Sequence, residues 1–259
     1  MIDHIIYADP DLDRAIATFS ETYGIAPLAG GQHLGFGTRN ALIGLGNAAY
    51  LELMAVDPQQ DVPASRRFFG LDAHVRPYIA AWCARAPRPL EETVAIARAA
   101  GLELGEIFSM SRTRHDGTTI SWRLTSPFAT RDGVLPFYID WGSSPNPGAS
   151  MPTMLALDSL TAIHPEPDRI RTILGALGEA GVDVAYGPSR ASGSRYAESS
   201  GTVEVVRDPQ HFIGGLHAFR VGFVGALRRE DRHHRLDDRN VGFLEHAKGD
   251  VRLSIAACG

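Results

Sequence analysis

The sequence predicts an α+β fold of repeated β-α-β-β-β units that pair around a cleft. Three observations carry this. A helix that opens at proline and closes at glycine plus an apolar residue occurs three times, at 10/24, 89/101 and 167/181. Each such helix follows a strand-like run and precedes sheet-like residues. Each helix is apolar on one face only, so a unit cannot cover its own sheet and copies should pair.

In the first unit, residues 2–8 read as a strand, being short and rich in β-branched and aromatic side chains. Asp9 is the expected N-cap and Pro10 the first helical residue. Leu12, Ala15, Ile16, Phe19 and Tyr23 then share one face. Gly24 and Ile25 suit a left-handed stop with its apolar contact. Strands fit 40–45 and 49–55, with Gly46-Asn47 as the turn.

The second unit repeats the order. A strand at 78–84 leads to a helix opened by Pro89, with Leu90, Val94 and Ala97 on one face and Gly101-Leu102 at its end. Strands fit 105–111, 118–125 and 135–141, with His115-Asp116-Gly117 as the first turn and Arg131-Asp132-Gly133 before the last strand. In the third unit a strand at 155–163 precedes a helix from Pro167 to Gly181-Val182, and strands fit 195–198 and 202–206. The expected organisation is therefore a paired unit over 1–142, a third unit over 153–206 and an extension over 207–259. Strands at 221–227 and 251–257 of that extension suit a partial fourth unit or a dimer contact.

Bulk properties narrow the function. The 259 residues carry a net charge of −5, and the 25 basic residues are scattered apart from a cluster near 228–239. There is no overall basic field of the kind that binds nucleic acid. Cys83 and Cys258 are too few and too far apart for a disulfide framework, which suits a reducing compartment. No basic-then-apolar leader opens the sequence, and no apolar run reaches membrane-spanning length. A soluble cytoplasmic protein is expected, with a small-molecule ligand, no membrane or nucleic-acid partner, and homodimerisation open.

Two polar residues stand out in otherwise buried strands. Side chains alternate along a strand, so His4 shares a face with Ile2 and Ile6, and Glu52 with Tyr50 and Met54. If those faces meet, an imidazole and a carboxylate project into an apolar concavity, suited to a divalent metal or to acid–base work. The plainer reading is a hydrogen-bonded core histidine and a glutamate on a wet face. The glycine-rich stretch 30–37 around His33 lacks the Lys-Ser/Thr ending of a phosphate loop, and is expected to rim the cleft with His33 and Asn40 near a substrate. Arg112 and Arg114 alternate with Ser111 and Thr113, so both point to one face, as an anion clamp or as a solvated surface. Cys83 reads as an inert core thiol, and His233-His234 in the tail as a solvated charged run.

The opening Ile2-Asp3-His4-Ile5-Ile6, with Asp9-Pro10-Asp11-Leu12, resembles that of vicinal-oxygen-chelate proteins, and more narrowly their glyoxalase-like branch. Further stretches carry the resemblance: Gly30-Gly31-Gln32-His33, Tyr50-Leu51-Glu52-Leu53, Trp122-Arg123-Leu124-Thr125 and Pro136-Phe137-Tyr138-Ile139-Asp140-Trp141-Gly142. It implies a half-barrel of paired β-α-β-β-β modules around a divalent metal (zinc, nickel, manganese or iron) held by a His on the first strand and a Glu on the last strand of each module. His4 and Glu52 match the first pair. Trp82 falls where the second His is due and Asp140 near the second Glu, so His4, Glu52 and Asp140 remain as ligands. The implied enzyme is a lyase, isomerase or dioxygenase acting on a small oxygenated substrate. Glu52, Arg112 and Arg114 are its expected catalytic residues, and His33, Asn40, Trp82 and Trp122 its substrate contacts. The alternative is a non-catalytic binding or resistance protein with a degenerate metal site.

Overall fold

The computed structural model describes residues 1–73, 76–113, 118–129, 133–187, 218–225, 243–247 and 250–258. The first unit runs β1 (Ile2–Ala8), α1 (Leu12–Ala17, continued by a π turn over Thr18–Thr22), β2 (Leu28–His33), β3 (Thr38–Gly46) and β4 (Ala49–Val56). The second runs β5 (Tyr78–Arg85), α2 (Leu90–Ala99), β6 (Ile107–Thr113), β7 (Thr119–Thr125) and β8 (Phe137–Asp140). Together they form one eight-stranded sheet in the order β2-β3-β4-β1-β5-β8-β7-β6. The order reads symmetrically about the antiparallel β1–β5 pair, and β1–β4 and β5–β8 are both parallel. The fold is thus α+β, two β-α-β-β-β modules joined into a half-barrel.

The remaining strands are β9 (Ala156–His164), β10 (Asp183–Tyr186), β11 (Ala218–Gly225), β12 (Phe243–Ala247) and β13 (Asp250–Cys258), with α3 (Pro167–Leu177) between β9 and β10. They form a second sheet in the order β10-β9-β11-β13-β12. Here β9 pairs antiparallel with β11, as β1 does with β5, but β10 lies directly beside β9. The strands expected at 195–198 and 202–206, the His233-His234 pair and Arg114 lie outside the described residues. No described helix is long and apolar enough to cross a membrane.

Two helix ends differ from expectation. The N-cap of α1 is Asp11, whose carboxylate accepts from the backbone N–H of Asp13 and Arg14. Asp9 instead accepts from the Asp11 N–H at 2.8 Å and pairs with Arg14. Either aspartate flanking Pro10 can cap by type, and the chain uses the one whose extended backbone feeds the helix directly. Helix α3 stops at Gly178 (φ 79°), before Gly181, and the Glu179 N–H closes on the Leu174 carbonyl at 2.9 Å. Strand β2 also occupies part of the glycine-rich stretch read from sequence as loop. Gly30 and Gly31 hide its strand character, yet each leaves space that is used: a Cβ on Gly30 would lie 1.9 Å from Asn40 Oδ1, and one on Gly31 2.7 Å from Arg112 Cδ. Because Arg112 is on β6, that approach brings the two outer edges of the sheet together and nearly closes the barrel.

The helix-side face of the sheet makes the core. Ile5, Leu51, Leu53 and Trp82 are fully buried there with Ala15, Phe19 and Leu90. The concave face carries the polar residues.

Candidate active site

Strands β1 and β4 lie side by side with Ile6 opposite Glu52 and His4 opposite Tyr50, so His4 and Glu52 share the concave face. The His4 Nε2 to Glu52 Oε2 separation is 3.7 Å, and both side chains are buried. On β3, Asn40 and Leu42 face the same way, and β2 brings in His33. These side chains line one cavity together with Arg112, Trp122, Phe137 and Trp141.

Asp3 fixes His4. Neighbours in a strand ordinarily point to opposite faces, but the β1–β5 register slips between Ile2 and His4. This bulge turns Asp3 toward its neighbour, and His4 Nδ1–H donates to Asp3 Oδ1 at 2.8 Å. Asp3 Oδ2 accepts from Arg85 Nε at 2.9 Å, Trp141 Nε1 at 3.1 Å and Asn146 Nδ2 at 2.7 Å. Burial by itself would raise this carboxyl, but the His4 hydrogen bond, the His4 and Arg85 charges and the Trp141 bond hold it below the usual carboxylate range. An ionised carboxylate only accepts, so Nδ1 carries a proton and Nε2 is presented to Glu52. Tyr50 stacks on the imidazole at 4.9 Å and Phe137 meets it edge-on at 5.6 Å, locking the ring plane.

The second imidazole is set through an amide. Gly31 N–H donates to Asn40 Oδ1 at 2.8 Å, which identifies that atom as oxygen. The Asn40 Nδ2 amide therefore donates to Glu52 Oε1 at 2.6 Å and faces His33 Nε2 at 3.4 Å. His33 then accepts at Nε2 and donates from Nδ1 to Thr38 Oγ1 at 2.9 Å. Burial drives its pKa below the ordinary histidine value, against the pull of Glu52, and the Arg112 and His4 charges act in the same direction as burial. Neutral His33 thus stands with Nε2 3.7 Å from Glu52 Oε1. Glu52 is held on one oxygen by an amide, while its other oxygen faces His4.

Two expected site residues are corrected. Trp82 does not line the cleft. It pairs across from Ile5, on the helix side, fully buried, and its indole N–H donates to the Val134 carbonyl at 2.9 Å. The residue opposite His4 is Cys83, a free thiol that burial pushes far above its usual pKa, in keeping with an inert core group. Asp140 is no partner of His4 and Glu52 either. Phe137, Ile139 and Trp141 line the cavity, so alternation turns Asp140 to the other face, where it accepts from the Gly142 N–H at 2.9 Å and lies across from Arg123. The metal set His4, Glu52 and Asp140 is therefore not assembled. Among the described residues no group of three or more His, Cys, Asp or Glu side chains is placed to hold a metal ion. The wall opposite His4 and Glu52 is aromatic and aliphatic, so these residues do not fit a metal cage contributed by both modules.

Of the other sequence candidates, His33, Asn40, Arg112 and Trp122 all reach the cavity. Asp3, Tyr50 and Trp141 were missed, as were Phe68 and Phe69, which line the cavity from the link before β5. A bulge leaves no sequence signature, so Asp3 was not recoverable. The Phe68-Phe69 pair was a usable signal, because adjacent aromatics in a proline- and arginine-bearing link need a surface to cover.

A half-barrel of paired modules with a buried His–Glu site on its concave face defines a glyoxalase-type fold. The family model described as "Glyoxalase-like domain" matches residues 2–178, and the chain belongs to that family. No curated protein matches the sequence. A hypothetical protein from Staphylococcus aureus has a similar structure, with TM-score 0.53 and 16% identity over 72% of this chain and 86% of that one. Methylmalonyl-CoA epimerase from Mycobacterium tuberculosis is 24% identical over 57% of this chain and 91% of its own, with TM-score 0.37. The Streptomyces coelicolor epimerase is 18% identical over 57% and 98%, with TM-score 0.38. At these identities the first likeness bears on fold alone, and the other two bear on neither substrate nor mechanism.

Proposed function

We propose that this protein is an enzyme of the isomerase or lyase type that removes a proton from carbon beside a carbonyl of a small oxygenated substrate, with Glu52 as the base. The observation that carries this reading is the setting of Glu52: buried at the cavity wall, fixed through Oε1 by Asn40, with Oε2 beside His4 Nε2 at 3.7 Å. A positioned carboxylate in a largely apolar pocket is the arrangement that proton transfer needs. In the step, the substrate C–H bond breaks, Glu52 takes the proton, and the electron pair moves onto the carbonyl oxygen. Return of the proton to another face or atom gives isomerisation, and departure of a β-substituent gives elimination. Arg112 holds an anionic group of the substrate. Proton transfer is favoured over an oxygenase step because Asp140 faces away from His4 and Glu52. No step in this reading runs through a metal.

The test is deuterium incorporation. A panel of small oxo acids and hydroxy ketones is incubated with the protein in D₂O and followed by proton NMR. Glu52→Gln should lower exchange by about 10²-fold or more, the usual worth of a general base, while ligand binding survives. Ligand binding by the wild-type protein without any exchange would refute the enzyme reading and leave a sequestering protein.

A further inference from the structure

We infer that the substrate of this cleft is an apolar acid with a flat body, its carboxylate bound by Arg112 and its ring held between aromatic walls. The inference rests on the Glu52 reading above and adds a substrate class to it. Arg112 carries the argument. Its Nε is buried without a hydrogen-bond partner, and among the described residues no carboxylate pairs with its guanidinium. Arg39 and Arg67 also leave a buried Nε unpartnered, but their guanidinium groups rest on Asp13 and Asp72. A partly buried cation without a counter-charge is costly, and an anionic ligand offsets that cost. The planar fork of donors selects a carboxylate or phosphate over a lone oxygen.

The position of Arg112 is prepared by the fold. Its stem lies against Gly31, where a Cβ would come within 2.7 Å of Cδ, so the glycine in β2 leaves the space that the arginine fills. Gly31 also donates to Asn40, the amide that holds Glu52, so Arg112 stands at the same end of the cavity as Glu52. The remaining wall is apolar. Phe69, Met110, Phe137, Trp122 and Trp141 line it, and the two indoles lie 5.4 Å apart. Aromatic walls favour flat partners through offset and edge-on contacts. Beyond Arg112 the polar groups gather around Glu52, so the ligand needs one charged end and an apolar remainder.

The experiment measures binding of four probes to the wild-type full chain by Trp fluorescence and calorimetry: phenylpropionate, phenylpropionamide, propionate and phenylpropylamine. The acid should bind roughly tenfold or more tighter than the amide, as a charge-assisted contact implies, and tighter than propionate by a similar factor. The amine should bind most weakly. R112Q should erase the acid–amide difference, whereas R123Q, on the other face of β7 and paired with Glu91, should preserve it. If R112Q does not fold, R112K retains the charge without the fork and should keep only part of the preference. Equal binding of acid and amide, tightest binding of the amine, tight binding of propionate, or an acid preference that survives in R112Q would each overturn the assignment. Exchange in D₂O by the wild-type protein separates the two readings. Acid preference without proton exchange in the wild type removes the role given to Glu52, and exchange without acid preference removes only the substrate class.

Discussion

Replacing Asp3 by Asn should invert the tautomer of His4. The wild-type carboxylate accepts four side-chain donors: His4 on Oδ1, and Arg85, Trp141 and Asn146 on Oδ2. An amide of the same shape can keep its oxygen toward the latter three. Its NH₂ group then faces His4 Nδ1–H, donor against donor. The contact is relieved when the His4 proton moves to Nε2, which turns an N–H toward Glu52. In energy, the Trp141 and Asn146 hydrogen bonds fall from charge-assisted strength, about 1.5–3 kcal/mol, to neutral strength, about 0.5–1.5 kcal/mol, while Arg85 remains an ionised donor. That is roughly 2–3 kcal/mol for the two bonds, and the lost Arg85 ion pair adds little because Arg85 is 26% exposed. The sign with pH follows from the lowered pKa of Asp3. Its stabilisation is complete above the unfolded carboxyl value, about 4, and is lost as pH falls through the lower folded value. The gap between wild type and Asp3→Asn should therefore be full at neutral pH and close in acid. Urea denaturation across this range measures the gap, and ¹⁵N NMR of the imidazoles reads the tautomer. A neutral-pH loss below about 0.5 kcal/mol, or a His4 still protonated at Nδ1, would refute the account of Asp3 as the group that sets His4.

Other predictions follow from the same geometry. Gly30→Ala puts a Cβ 1.9 Å from Asn40 Oδ1 and 2.6 Å from its backbone oxygen, so chemical denaturation should show a loss of about 2 kcal/mol or more. Gly31→Ala meets only the flexible stem of Arg112, so stability should change by less than about 1 kcal/mol while binding of an anionic ligand falls. Trp82→Phe removes the bond to the Val134 carbonyl and should cost about 1–3 kcal/mol, with ligand affinity unchanged because the side chain faces the helices. The depressed pKa of His33 means that its contribution is full above the unfolded histidine value, about 6.5, and is lost as pH falls toward the folded value. That part of the stability–pH slope should vanish in His33→Gln, and an unchanged slope would assign it to another group.

The repeated units were legible because each is a local pattern. Pro10, Pro89 and Pro167 mark the helix starts within a residue or two, and Gly24 and Gly101 take the left-handed φ expected of them, 66° and 86°. Alternation placed His4 with Ile6, and Glu52 with Met54, on one face. The second module misled, because aligning the modules on their helices put Trp82 at the position of His4, whereas β5 pairs Trp82 with Ile5 and turns it to the helix side. Asp140 failed for a related reason. Its strand was recognised, but which of its faces meets the cleft depends on neighbours that local sequence does not specify.

The sequence by itself determined the α+β class, most strand and helix spans of the two paired units and the presence of a His and a Glu in strands that should be apolar, because hydrophobic period and turn chemistry are properties of adjacent residues. Tertiary structure decided the rest. Parallel pairing of β1 with β4 set Glu52 beside His4, a bulge turned Asp3 onto the imidazole, and the approach of β2 to β6 seated Arg112 against Gly31. Each depends on register and on sheet closure between segments distant in sequence, and a one-residue slip sends a side chain to the opposite face.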